Sequence, residues 1–203
     1  MKKIVLASKS LDRGRILREA RVPFSILISK VNEVPFKKRL SNNPIKLVEE
    51  LAKAKALSAK LTLMENRKES IIIAADTIIE FKGEIIGKAK DENQAFQILR
   101  KLAGNAHNLI TGVAITETSN PKIIVDHDST TVKFLNLKDH EIWNYVKTGE
   151  WRGRAGCYSA RDKASLFVDM IIGSTSNVIG LPLHKVYEIL KKEFNVDLLK
   201  NSN

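Results

Sequence analysis

The chain has 203 residues, of which 34 are basic and 23 acidic, so its formal net charge is +11. A chain of this length buries about 70% of its unfolded surface and needs neither a disulfide nor a metal to fold. The single cysteine, Cys157, excludes an internal disulfide and favours a reducing, cytoplasmic compartment. No apolar stretch approaches the ~20 residues of a membrane span. The positive charge favours anionic partners, which are nucleotides, nucleic acid or a membrane surface, and charge alone does not choose among them.

The first predicted elements are a strand and a helix joined by serines. Residues 4–7 are typical of a short buried strand, and Ser8 and Ser10 can cap the helix that follows. Arg13 lies close by. Free backbone N–H groups and the helix dipole favour an anion at such a turn, so this segment is a candidate phosphate site. The signal is weak by itself, because every strand–helix unit has a helix N-terminus.

A second helix is predicted from about residue 44 to residue 60. Lys55 falls on its apolar stripe, whereas Lys53 and Lys60 point away from that stripe. A lysine on the inward face can carry its ammonium group to the surface along its aliphatic stem, or it can reach into a cleft and hold an anion. Both alternatives stay open for Lys55.

The segment at residues 71–79 is an apolar run that a single carboxylate, Asp76, interrupts. The run is rich in β-branched residues and predicts a strand buried on both faces of a sheet. A carboxylate there is costly unless it is paired, hydrogen-bonded or bound to a metal. Asp76 is therefore expected either to hydrogen-bond a strand-end turn or to lie where the strand opens into a cleft and to act there.

The second half of the chain alternates helices and strands. Asp91 and Gln94 form a capping pair that opens a helix, and Gly104 ends it. Strands are predicted at residues 109–115 and 125–134, the second of them antiparallel with one face in water. The remaining predictions are a helix through residues 142–149, a strand at 165–172, a last helix with Pro182 at its first position, and a frayed tail at 200–203. This order predicts an α/β fold with a partly antiparallel sheet.

Several familiar motifs are absent from the chain. It has no GxxxxGK[ST] and no GxGxxG, so neither a P-loop nor a dinucleotide fold is indicated. The sequence Asp126-His127-Asp128 is a poor metal site, because neighbouring side chains on a strand point to opposite faces. What remains is oxygen-ligand chemistry from Glu33 and Asp76, which suits Mg²⁺ or Mn²⁺ and, through the metal, phosphates. Arg13, Lys55 and Lys88 are candidate phosphate-binding cations.

Short sequence motifs are spread along the chain from residue 6 to residue 190. Each motif is a weak signal alone, but their order and spacing together are highly specific. They are Leu6-Ala7-Ser8-Lys9-Ser10 with Arg13; Val31-Asn32-Glu33; Leu51-Ala52 with Lys55-Ala56; Ala75-Asp76-Thr77; Gly83-Glu84 with Gly87-Lys88; Leu102 with Gly104 and His107; Thr111-Gly112-Val113; Tyr145 with Gly149-Glu150; Ala155-Gly156 with Tyr158; and Asn177-Val178-Ile179-Gly180-Leu181-Pro182-Leu183. The set resembles the Maf family of nucleoside triphosphate pyrophosphatases, also called septum formation inhibitor homologues.

The resemblance implies one domain of this family over residues 1–203. It implies a central mixed, twisted sheet flanked by helices, with two lobes around a deep cleft. It also implies a nucleotide diphosphatase that acts on nucleoside triphosphates, cuts between the α- and β-phosphates, and releases a nucleoside monophosphate and diphosphate. A divalent metal, a cytoplasmic location and often a homodimer go with the family, and some members are linked to arrest of cell division.

The resemblance also implies roles for individual residues. Asp76 matches the catalytic acid, expected to bind the metal, activate water, or both, and Glu33 could share the Mg²⁺ or Mn²⁺ with it. By the same resemblance, Ser8 and Arg13 would bind the triphosphate. Lys55 and Lys88 would compensate charge as the diphosphate leaves. Thr77 would help to shape the base pocket. His107 is expected to make a structural hydrogen bond.

The chain departs from the family at positions tied to base recognition. The family usually has Pro-Arg-Arg after the second serine and Glu two residues later, but here Asp12 replaces the first Arg and Arg15 the Glu. The dTTP/UTP subgroup usually has Ile-Gln-Gly at residues 160–162, where this chain has Arg161 in the middle. The 7-methyl-GTP subgroup has Trp at position 12 and usually Asp-Gln at residues 76–77. The Thr77 and Thr111-Gly112-Val113 segments favour the dTTP/UTP subgroup.

These departures suggest a hypothesis for base recognition. Asp12 and Arg161 would face each other across the base pocket and pair, so that base recognition changes while the chemistry is retained. The alternative is that base selectivity is relaxed, since loose sites discriminate less than hydrogen-bonded ones.

Two other functions compete with the pyrophosphatase. One is a non-catalytic regulator of cell division that binds nucleotide or nucleic acid, which the charge of +11 permits. The chain lacks the interleaved aromatic and basic residues of single-strand binders, which argues against nucleic acid as a partner. The other is a nucleotidase or phosphatase that releases inorganic phosphate by the same metal chemistry.

Overall fold

The computed structural model describes residues 2–200, and the tail prediction for residues 201–203 lies outside that range. Its strands are β1 (Lys3–Leu6), β2 (Ser25–Ile26), β3 (Ser70–Phe81), β4 (Glu84–Ile86), β5 (Ala106–Glu117), β6 (Asn120–Phe134) and β7 (Val168–Ile172). Its helices are α1 (Leu11–Glu19), α2 (Val34–Arg39), α3 (Pro44–Glu65), α4 (Glu92–Leu102), α5 (Asp139–Val146), α6 (Thr175–Val178) and α7 (Leu183–Phe194), with 3₁₀ turns at Ala155–Cys157 and Lys163–Phe167.

The strands form one mixed sheet in the order β2-β1-β3-β5-β6-β7, with β4 paired to β3. β1 is parallel to β2 and β3, whereas β3, β5, β6 and β7 pair antiparallel in sequence. The apolar run predicted at residues 71–79 is the core of β3, which has neighbours along most of its length. The α/β prediction and the antiparallel pairing of the strand at 125–134 are confirmed.

The buried apolar side chains fall into two regions along the long strands. Near β1, one face of the sheet packs on α1 and α7, and the other face packs on α3. Further along β3, β5 and β6, a second region packs against α4, α5 and the 3₁₀ turns. The middle of β3 joins the two regions, which correspond to the lobes that the sequence resemblance implies.

Helix α3 approaches β5 very closely at Gly112. A Cβ atom on Gly112 would lie 2.4 Å from both the carbonyl carbon and the carbonyl oxygen of Val48. A glycine inside a strand often marks such an approach of another backbone. Because α3 also carries Lys55, this contact fixes how far Lys55 stands from the sheet.

The structure corrects the C-terminal predictions in two places. The predicted strand at residues 165–172 begins only at Val168, because residues 163–167 form a 3₁₀ turn that buries Ala164 and Phe167. Their spacing of three residues matches the three residues per turn of this helix. The last helix begins at Leu183, with Pro182 at the cap instead of the first helical position. Among residues 2–200 no helix is both long and apolar enough to cross a membrane.

Candidate active site

The candidate site is an opening at one edge of β3. β1 pairs with residues 70–73 of β3, and β4 pairs with residues 79–81. Within the described part of the chain, residues 74–78 therefore have a strand neighbour only on the β5 side. Asp76 lies in the middle of this gap, opposite Gly112 of β5. The opening explains how a carboxylate is accommodated in an otherwise buried strand.

Asp76 shares a lysine with Glu33. Lys55 Nζ on α3 lies 2.5 Å from Asp76 Oδ1 and 2.8 Å from Glu33 Oε1. The side chains of Lys55 and Asp76 are 14% and 13% exposed, so their ion pair is largely shielded from water. Of the two alternatives open for Lys55, the structure selects the inward one, because the ammonium group points to the sheet and not to the surface.

Glu33 is held by a second lysine, Lys37, which was not among the predicted site residues. Lys37 Nζ lies 2.6 Å from Glu33 Oε2, one helical turn further along α2. Partial burial alone would raise the pKa of Glu33, but the hydrogen bonds from Lys37 and Lys55 lower it to about 2. The spacing of four residues is the signal that could have revealed this pair, but α2 itself was not predicted.

Arg13 links three segments on the other side of the opening. Its Nε donates to Gly180 O at 2.7 Å, Nη1 to Ser8 Oγ at 3.2 Å, and Nη2 to Thr77 Oγ1 at 2.9 Å. Successive strand residues point to opposite faces, so Thr77 faces Arg13 while Asp76 faces Lys55. A guanidinium carries five N–H groups, so two remain for a ligand. Burial lowers the pKa of Arg13, and the charges of nearby carboxylates, Asp76 first, oppose this.

Ser8 is buried at the start of the serine turn. Its Oγ accepts from the backbone N–H of Ser10 and from Arg13, so its own hydroxyl hydrogen is left to donate. Ser10 caps α1 as predicted, accepting from the backbone N–H of Arg13. The turn thus brings a hydroxyl donor and a helix start to the opening in β3.

Lys88 approaches the same opening from the loop after β4. It forms no hydrogen bond or ion pair within residues 2–200. Desolvation lowers the pKa of Lys88, and the charges of Glu33 and Asp76 raise it, which places its ammonium group within the field of both carboxylates. A lysine with this location and without a partner in the described residues is available to an anionic ligand.

Arg161 lies against α1, but its partner is Glu19. Arg161 Nη1 lies 2.7 Å from Glu19 Oε2, and Nη2 contacts the other oxygen of that carboxylate. The predicted ion pair of Asp12 with Arg161 is therefore wrong, and Asp12 acts on Arg161 only through its charge. Asp12, Arg15 and Glu19 lie along one side of α1. Arg15 Nη1 on this side lies 3.8 Å from Asp162 Oδ1. Arg161 therefore faces alternating charges and bonds to Glu19.

The carboxylates at the opening suit one kind of metal site. Asp76 and Glu33 bring their oxygens to a common point, since both contact one ammonium group. Mg²⁺ is commonly held by one or two carboxylates together with substrate phosphates, and not by a cage of protein ligands alone. Residues 2–200 contain no group of three or more metal-binding side chains. The pair therefore fits a divalent cation that a bound triphosphate helps to hold.

The remaining features noted in the sequence make contacts within the protein. Asp126 bonds to Lys185 and His127 to Glu49, so the Asp-His-Asp segment does not converge on one point. His107 is buried and its Nε2 lies 2.8 Å from Tyr158 Oη, which confirms the expected structural hydrogen bond.

The fold and the site together define an α/β protein with an opening in its sheet that carries two carboxylates and several basic side chains. Residues 3–193 match the family described as Maf-like protein. Proteins named dTTP/UTP pyrophosphatase are similar over nearly the whole chain. That of Alkaliphilus metalliredigens is 41% identical over 98% of this chain and 100% of its own length. That of Caldanaerobacter subterraneus subsp. tengcongensis is 42% identical over 96% of this chain and 90% of its own length. The chain belongs to the Maf-like protein family.

Proposed function

We propose that the protein is a nucleoside triphosphate pyrophosphatase that hydrolyses the bond between the α- and β-phosphates. The observation that carries this proposal is the cluster of Asp76, Lys55 and Glu33 in the gap of β3, with Lys88 facing it. The names of the relatives support the same reaction. The products are a nucleoside monophosphate and diphosphate.

The reaction needs a water molecule placed in line with the bond that breaks. The water oxygen bonds to the α-phosphorus, the bond from that phosphorus to the bridging oxygen breaks, and diphosphate leaves with the bonding electrons. Asp76 takes the proton of the water, holds the cation, or does both, while Lys55 orients its carboxylate. Mg²⁺ or Mn²⁺, held by Asp76 and Glu33, would supply charge neutralisation on the phosphate oxygens and a lowered water pKa.

The remaining cations serve the phosphates. Arg13 keeps two N–H groups free after its bonds within the protein, and Ser8 keeps its hydroxyl hydrogen. Both therefore can donate to phosphate oxygens while the network holds their geometry. Lys88, which has no partner among residues 2–200, offsets the charge that develops on the leaving diphosphate.

Base recognition is assigned to the α1 side of the opening, near Thr77, Asp12 and Arg161. dTTP and UTP come first as substrates, because the relatives carry those names. Asp12 presents a hydrogen-bond acceptor, whereas the family usually presents an arginine there. A carboxylate favours bases with an exocyclic amino group. CTP and modified nucleotides therefore belong in the same panel.

The remaining expectations stay predictions. They are a single domain over residues 1–203, a homodimer, no membrane partner, no nucleic-acid partner and a cytoplasmic location, the last resting on the single buried thiol of Cys157. A role in septum formation is a further prediction, and the variant Asp76→Asn would show whether it depends on catalysis.

The test is product analysis with purified protein, a panel of nucleoside triphosphates, and Mg²⁺ or Mn²⁺. Nucleoside monophosphate and diphosphate in equal amounts are expected, with kcat about 10²–10⁴-fold lower in Asp76→Asn. Asp169→Asn, which removes an exposed carboxylate paired with Lys133, is the control and should match wild type. Release of inorganic phosphate would favour the phosphatase, and nucleotide binding without turnover would favour the binding regulator.

A further inference from the structure

Both oxygens of the Glu33 carboxylate are occupied by ammonium groups. Lys37 holds Oε2 at 2.6 Å and Lys55 holds Oε1 at 2.8 Å. The two lysines differ in their surroundings, because the Lys37 side chain is 54% exposed and that of Lys55 is 14% exposed. Lys55 is bonded to Asp76 as well, whereas Lys37 has Glu33 as its one ion-pair partner within residues 2–200.

The pair of Lys37 and Glu33 can open at little cost. It joins Glu33, the residue that precedes α2, to Lys37 in α2, a helix of six residues none of which is buried. Exposed pairs of this kind contribute roughly 0.2–1 kcal/mol, and they are weakened further by salt. Lys55 is a poor candidate for the same movement, since it would leave two partly buried carboxylates unpaired.

The charges in the site point to an exchange. Asp76 and Glu33 carry two negative charges, which Lys55 and Lys37 neutralise. Lys55 occupies the point where the two carboxylates meet, so a divalent cation reaches Glu33 through Oε2, the oxygen that Lys37 now holds. Once released, Lys37 is a flexible point charge on a four-carbon stem beside the site, and such a lysine suits a phosphate.

We propose that Lys37 is an exchangeable counter-cation of the site. It neutralises Glu33 while the site holds no divalent cation, yields that oxygen when the cation binds, and then contacts the triphosphate. Lys37 is thus a further substrate-binding residue, and a competitor of the metal in the free protein. The inference rests on the proposed function, because it assigns Lys37 to the same site.

The first test measures Mn²⁺ affinity of the metal-free protein without nucleotide, by calorimetry or by the electron paramagnetic resonance of free Mn²⁺. Lys37→Met is expected to bind Mn²⁺ ~2–5-fold more tightly than wild type, because Mn²⁺ then no longer has to break the exposed ion pair of Lys37 with Glu33. Lys38→Met is the matched control: Lys38 is on the same helix, exposed and without an ion pair in the described residues, and its loss changes the net charge equally. Its affinity should match that of wild type.

The second test uses turnover at saturating Mn²⁺. Lys37→Met should raise KM for the nucleotide with a smaller change in kcat, and Lys37→Arg should restore KM. An exchanging cation predicts that Lys37→Met binds Mn²⁺ more tightly and the nucleotide more weakly than wild type. If Lys37 only held Glu33 in place, the affinities for Mn²⁺ and for the nucleotide would both fall.

Several results would overturn the inference. They are a Mn²⁺ affinity of Lys37→Met that equals or falls below that of wild type, or the same gain in Lys38→Met. Diphosphate release by the wild-type protein is measured independently. If it is seen while the affinities do not change, only the role of Lys37 fails, and if it is absent, the proposed function fails.

Discussion

The ammonium group of Lys55 lies 2.5 Å from Asp76 Oδ1, across the packing of α3 on β3. The contact depends on two features of the sheet: the gap between β1 and β4, in which Asp76 lies, and Gly112 opposite Asp76, which lets α3 come close. The position of this ion pair is thus determined by the gap in the sheet and by the packing of α3 on the sheet. Its removal should affect both folding and chemistry.

Replacing Lys55 by Met should lower stability and activity together. The carboxylates of Asp76 and Glu33 would face each other without their shared partner, at a cost of about 2 kcal/mol. The loss of a positioned charge should reduce kcat about 10²–10³-fold. Urea unfolding and diphosphate release measure the two effects. Lys53→Met, on the same helix without an ion pair in residues 2–200, is the control, and equal losses in both variants would contradict the assignment.

Much of the fold could be predicted because its elements carry strong local signals. The apolar run of β3, the capping pair Asp91 and Gln94 and the stripe of α3 each matched the structure. Helix α2 was missed because it is short and buries no residue, so it has no apolar stripe to detect. Residues 165–167, the end of the 3₁₀ turn, were predicted as strand because their apolar side chains are also compatible with a strand.

The candidate site was predictable in its residue types but not in its pairings. Asp76 and Lys55 stood out because a charge in an apolar strand or on an apolar stripe needs a reason. Glu19 did not stand out, because nothing in the local sequence distinguishes one exposed acidic residue on a helix from another. Its contact with Arg161 joins residues that are 142 positions apart. Pairings of this kind follow from tertiary packing, which local pattern does not contain.

A mutant cycle should show that Arg161 acts with Glu19 and not with Asp12. Glu19→Gln and Arg161→Gln are expected to change KM for the nucleotide in the same direction, and the double variant no further than either, since each removes the same contact. Asp12→Asn combined with Arg161→Gln should instead multiply the two single effects. Steady-state kinetics on the best substrate measures both cycles. A coupled Asp12 cycle together with an uncoupled Glu19 cycle would restore the original hypothesis.

Replacing Gly112 by Ala should destabilise the protein by about 3 kcal/mol, the upper part of the usual range for overpacking. The new Cβ would meet the backbone of Val48 at 2.4 Å, and a backbone cannot move aside as the end of a side chain can. Because α3 must shift, Lys55 would move from Asp76, and kcat should fall as well. The measurement is urea unfolding.

Gly87→Ala is the matched control for that substitution. Its added Cβ meets no atom within 4 Å, and its backbone does not have the positive φ that favours glycine. Its stability should stay within about 0.5 kcal/mol of wild type. A Gly112→Ala variant as stable as this control would mean that α3 does not depend on the close approach.

His107 should make the fold sensitive to acid. Burial lowers the pKa of His107 to about 4, below its ordinary value of 6.5. Between these values the unfolded chain binds the proton and the folded chain does not, so stability falls as the pH decreases from about 6.5 to about 4. The full loss from this residue is up to about 3 kcal/mol.

The measurement is urea unfolding at several pH values between 7 and 4, with wild type, His107→Gln and His140→Gln. Glutamine can still bond to Tyr158 Oη but cannot titrate, so His107→Gln should have the shallower dependence of stability on pH. His140 is exposed, and its variant should follow wild type. The slope decides the question and not the stability at one pH, because the substitution also changes packing. Parallel curves for all three proteins would show that His107 does not carry the acid sensitivity.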